Sequence, residues 1–136
     1  MMNYDFHMGE IKKGIRNLIL RLLIAKTRYS EWLQKNKDSE LKPLAEEAME
    51  QKKLQALEVC RLFHVDQSEA VPPEKLRKEV EKEKANTSMR KMIKHNEERI
   101  KELYRSLIQE EKVNVFESFV LTNHLRNEER LLRKIE

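Results

Sequence analysis

The chain has little of what turns, sheets and disulfide frameworks are built from. Its 136 residues include only two glycines and three prolines. The tight turns that join strands use more of both, so the scarcity excludes a sandwich or barrel and points to helices. A single cysteine, Cys60, excludes an internal disulfide and fits a reducing, cytoplasmic setting. The longest unbroken apolar run is the four residues Leu22 to Ala25. A membrane span needs about 20, so no membrane association is expected. The opening stretch MMNYDFHMGEIKKG lacks the basic-then-apolar order of a secretion signal. There is no Gly-rich phosphate loop, no Cys-x-x-Cys and no nucleophile elbow, so the reading leans against an enzyme.

What is present is charge at helical spacing. Charged residues make up 38% of the chain, the proportion of a soluble, mostly helical single domain. From Gly9 to about Asn36, Ile11, Ile15, Leu18, Leu22, Ala25, Tyr29, Trp32 and Leu33 share one helical face. Residues 1–8 show no period and read as irregular. Leu20 and Ile24 fall on the opposite side of this first helix, and an outward apolar pair predicts a homodimer contact there. Gly14 weakens the helix by up to ~1 kcal/mol relative to Ala, a cost that a close helix approach would justify. Lys37-Asp38-Ser39 is the break, and Pro43 sits in the first turn of a second helix over about 40–64. Its face is Leu41, Ala45, Ala48, Met49, Ala56, Val59, Cys60 and Phe63, with Lys52 in the middle. A lysine there either snorkels or pairs with a carboxylate, which makes Lys52 the candidate core charge partner. Cys60, on the same face, reads as an inert core thiol.

The connection over 65–87 is long, and Pro72-Pro73 opens a short, exposed, charged helix within it. Asn86-Thr87-Ser88 offers caps for a third helix over about 88–111, with Met89, Ile93, Ile100, Tyr104 and Leu107 on its face. Lys112-Val113 is a short turn, and Asn114 with Glu117 has the spacing of a capping box. Such short turns make each pair of helices antiparallel neighbours. The expected fold is therefore all-α: a four-helix bundle of two antiparallel hairpins joined by a long connection.

The fourth helix, about 114–135, carries the best chemical clue. With Phe116 at 0° and ~100° per residue, Val120, Leu121, Leu131, Leu132 and Ile135 occupy roughly 40° to 160°. Glu117, His124 and Glu128 lie inside that apolar arc. With Glu97 and Tyr104 of the third helix they form a candidate core cluster. Carboxylates and imidazole on facing helices are how bundles hold Fe or Mn, so Glu97, Glu117, His124 and Glu128 are the candidate metal ligands. The complete pattern needs Glu-x-x-His on two helices, and this chain has none. His124 therefore reads first as a hydrogen-bonded core histidine and Glu117 as a cap.

The segments LAEEAMEQKKLQAL (Leu44 to Leu57) and FVLTNHLRNEERLL (Phe119 to Leu132), and Glu97 followed by Tyr104 seven residues later, resemble the ferritin-like superfamily. The resemblance implies a four-helix bundle, often dimeric, with its metal centre in the core. This chain lacks the second-helix histidine and the fourth-helix Glu-x-x-His that such centres use. The expectation is a degenerate, non-enzymatic member that acts by protein association, as a homodimer or with another helical protein. The alternative is a live carboxylate-histidine metal site. A further alternative comes from the basic first helix, where residues 9–36 hold seven Lys/Arg against two Glu. Nucleic acid would meet Lys12, Lys13, Arg16, Arg21, Lys26 and Arg28, but no exposed aromatics are interleaved for base stacking, so the expectation is weak binding that is gone by physiological salt.

Overall fold

Six α-helices make up the regular structure, and no strand occurs among the described residues. The computed structural model describes residues 2–83, 88–109 and 113–135, with side chains from residue 13 onward. The expected roles of Ile11, Asn86, Thr87 and Lys112 lie outside that description. The helices are α1 (Met2–Lys35), α2 (Lys42–Leu62), α3 (Gln67–Ala70), α4 (Pro73–Lys82), α5 (Met89–Gln109) and α6 (Val115–Ile135).

α1 is the strut of the molecule. At 34 residues it is about 50 Å long. It starts at Met2 rather than Gly9, because nothing in the first eight residues breaks a helix. Ile15, Leu18, Leu22, Ala25 and Tyr29 are buried, as their spacing requires. Ile19, Leu23 and Ile24 are buried too, so α1 is covered on more than one side. α2 and α5 pack along it, and α3 and α4 lie against it. Close to the α1–α5 crossing, a Cβ on Gly14 would come within 3.3 Å of Leu107 Cδ2. The glycine permits that approach.

The burial of Ile24 corrects the expected dimer contact. α4 of the same chain lies against α1. Glu83, just past the end of α4, reaches Arg21 and Arg28, which flank Ile24 by about one turn on either side. Ile24 is fully buried and Leu20 is half-buried against the core, so neither forms an outward apolar face.

α2 is preceded by Ser39, whose side-chain oxygen accepts the Leu41 N–H at 3.2 Å. Its buried face runs Ala45, Ala48, Lys52, Gln55, Ala56, Val59, Cys60. The small alanines let α1 approach closely. α2 ends when the Val65 N–H bonds back to the Cys60 carbonyl and His64 to Arg61. His64 sits between them in the left-handed region, at φ 55°. Asp66 then caps α3, accepting the Glu69 N–H at 3.1 Å. α5 opens at Ser88, whose hydroxyl accepts the Lys91 N–H at 3.3 Å. One core cluster draws on α1, α2, α5 and α6, with Ala70 and Val71 sealing it from the connection.

Candidate functional site

The core contains a charged cluster fed by all four long helices. Lys52 of α2, Glu97 of α5 and Glu128 of α6 are fully buried. The Lys52 ammonium donates to Gln55 Oε1 at 2.6 Å, to Gln51 Oε1 at 3.0 Å and to Glu128 Oε1. Glu97 Oε1 is 2.7 Å from the same nitrogen, but off the line of a good hydrogen bond. An ammonium has three protons for these four acceptors, so one contact must be ionic only. The second Glu97 oxygen accepts from the Tyr29 hydroxyl of α1 at 2.6 Å.

Two carboxyls around one cation cannot both ionise cheaply in a dry interior. Burial first, then the charge of Glu97, hold Glu128 well above the usual carboxylate range, against the downward pull of Lys52. Glu97 Oε1 and Glu128 Oε2 are buried acceptors without a hydrogen-bond donor. Burial also raises Tyr29, helped by the charge of Glu97.

A second polar chain runs beside the first. The Tyr104 hydroxyl is 2.9 Å from His124 Nδ1, and His124 Nε2 is 2.8 Å from Glu58 Oε1. The partners assign the tautomer: Nε2–H donates to the carboxylate, and Nδ1 accepts from Tyr104. The two rings meet edge to face at 5.5 Å. Burial lowers the His124 pKa, and hydrogen bonding to Glu58 only partly opposes that.

The sequence-predicted residues therefore divide. Glu97, Glu128 and Lys52 come together. His124 lies in the neighbouring chain, with both nitrogens occupied. Glu117 leaves the set: its carboxylate accepts the Asn114 N–H at 2.9 Å while Asn114 Oδ1 accepts the Glu117 N–H at 2.8 Å, a closed capping box. Its place on the apolar arc reflects only its position in the first turn. The sequence gives Tyr29 only as a core residue and carries no signal for Gln55 or Glu58. Tyr29 looked like simple core packing, and Glu58 reaches in from outside the apolar face.

This donor set does not fit a paired Fe or Mn centre. The ammonium stands between the two carboxyls and would repel a cation, and His124 has no free nitrogen to turn toward them. No group of three or more His, Cys, Asp or Glu among the described residues is arranged to hold a metal ion. An open cleft of about 520 Å³ passes Leu57, Cys60, Arg61 and His64, and none of Lys52, Glu97 or Glu128 lines it. Comparison with protein-family models, curated proteins and solved structures finds no match for the chain.

Proposed function

We propose that the chain is a non-enzymatic, ferritin-like four-helix bundle of two antiparallel hairpins that acts by protein association. In this reading Lys52 takes the place of the metal charge at the centre of the core. The antiparallel register of α2 and α6 supports the bundle: Glu47 pairs with Lys134, Gln51 with the Asn127 carbonyl, and Glu58 with His124. The tenure of the core by an internal ion pair supports a scaffold rather than a catalyst.

The observation that carries association is an apolar surface at the start of α6. Val115, Phe116 and Phe119 are 88%, 67% and 64% exposed. Leu54 and Leu57, also exposed, face outward from α2, which runs alongside. A buried aromatic covers 150–250 Å², so this patch offers on the order of 400 Å² of apolar area. That is the size of the largest apolar patch on an ordinary monomer, which is often functional, and about half of what one partner gives to a standard interface. The partner proposed first is a second copy, meeting this face instead of Leu20 and Ile24. Among the described residues no helix is long and apolar enough to cross a membrane. A cytoplasmic site of action remains part of the proposal, resting on the single buried thiol.

Sedimentation of the wild-type chain should show a dimer, and Phe116→Glu with Phe119→Glu should give a monomer. A wild-type monomer across the accessible concentration range would remove the self-association reading.

A further inference from the structure

Three arginines converge on one carboxylate where α1, α4 and α5 meet. Arg21 Nη1 is 2.6 Å from Glu83 Oε2. Arg28 Nη1 is 3.8 Å from Glu83 Oε1, and Arg99 Nη1 is 3.9 Å from Glu83 Oε2. Only the first distance is that of a hydrogen bond. Arg28 and Arg99 have no other carboxylate within ion-pair reach among the described residues. Arg21 and Arg28 are seven residues apart on α1, hence on one face of it, and their side chains are only 11% and 10% exposed. Arg99 comes from α5 and is 46% exposed.

The group carries three positive charges and one negative, an excess of two. Holding guanidiniums this deep without full compensation is costly, and burial has already fixed their rotamers. Each planar fork keeps several N–H donors that Glu83 does not use. Arg99 gives the cluster a side open to water.

We propose that Arg28 and Arg99 bind the phosphate dianion of a small ligand, either inorganic phosphate or a phosphomonoester, while Arg21 stays with Glu83. A dianion brings the local charge to zero. Its tetrahedral oxygens suit forks that arrive from two helices, and such charge-assisted pairs are the strong kind. Glu83 sets the strength of the site: it orders the arginines and also repels the incoming anion. The site is separate from the apolar face of α6, so its fate and that of the association reading are independent.

The test is isothermal titration and thermal melting of the full chain with inorganic phosphate and with phenyl phosphate, at constant ionic strength set by NaCl. Both probes should bind and raise the melting temperature. Binding of inorganic phosphate alone would identify the free ion as the ligand, and tighter binding of phenyl phosphate would identify an ester. Arg99→Gln should weaken binding about tenfold and Arg28→Gln at least as much, while Glu83→Gln should strengthen it about tenfold. Arg99→Gln is half exposed and keeps the test open should the other variants unfold. If phosphate does no more than equal NaCl, or if Arg99→Gln binds as the wild type does, the site is only a clasp for α4. Binding of an oligonucleotide with no response to either phosphate probe would equally overturn the proposal.

Discussion

Lys52 is where a single side chain decides most. Lys52→Met leaves Glu97 and Glu128 in a dry core with no cation, and breaking a buried pair from one side costs about 3–5 kcal/mol. Adding Glu128→Leu should recover part of that loss and not all, because Glu97 still lacks its counter-charge and keeps only the Tyr29 hydroxyl. Urea unfolding of the two variants measures both steps, and a double variant no more stable than the single one would mean that Glu128 is not the partner. Glu128 also sets a pH dependence. Its folded pKa lies above the ordinary 4.5, so its contribution is complete below pH 4.5 and is lost as pH rises toward the folded value. His124 acts in the opposite sense: its folded pKa lies below 6.5, so its contribution is present above that pH and fades as pH falls. Glu128→Gln cannot titrate but keeps an acceptor for Lys52 and a donor for Glu97. Against the wild type it should gain relative stability as pH rises from 5 to 8, with the His124 limb common to both. Parallel pH profiles would mean that the fold does not hold Glu128 above its ordinary range. Lys52, Glu97, His124 and Glu128 were legible because helical phase puts a side chain inside or outside, and a charge inside must find company. Tyr29 was not, since a tyrosine on an apolar face has no phase to betray its hydroxyl.

Helix ends were less legible than helix faces, and α2 shows why. Apolar periodicity runs on to Phe63, so the sequence suggests an end at His64, yet the helix stops at Leu62. The stop is made by backbone bonds from His64 and Val65, which require a left-handed residue at His64 that no side-chain pattern announces. For a residue with a Cβ that conformation costs roughly 1–2 kcal/mol, and glycine avoids it. His64→Gly should therefore stabilise the protein by about 1 kcal/mol and raise its melting temperature by several degrees. Calorimetry will check the sign, and a fall in melting temperature would mean that the His64 ring holds contacts worth more than the strain. α3 is only four residues in a long connection, too short for an apolar period, and its one mark in the sequence is Asp66 three places before Glu69, a capping pattern. The start of α6 was legible because Asn114 and Glu117 cap through side chains that the sequence spells out.

At the scale of the molecule, the all-helical class followed from composition and period, while the partner of each face did not. A helix apolar on two sides has two explanations, another copy or another part of the same chain. Nothing in Leu20 or Ile24 says that both will be covered within their own chain. Phe116 and Phe119 were equally ambiguous, because the start of an amphipathic helix can overhang the core it belongs to. Neither packs into the core cluster, so Phe116→Glu with Phe119→Glu should change the unfolding free energy of the monomer by no more than ~0.5 kcal/mol. Loss of the dimer in that variant then reports on the surface and not on unfolding, and equilibrium denaturation of the dilute variant measures this directly. The order in which the core charges are made has its own effect on how the chain reaches this state. Synthesis delivers Lys52 first, Glu97 45 residues later and Glu128 76 residues later. While α1 and α2 leave the ribosome, the ammonium faces an apolar stripe with no carboxylate to meet it across the core. At that stage its own helix offers it only the Gln51 and Gln55 oxygens. Burying the ammonium is costly until α5 and α6 bring Glu97 and Glu128, so the late half of the chain should favour closure of the early half.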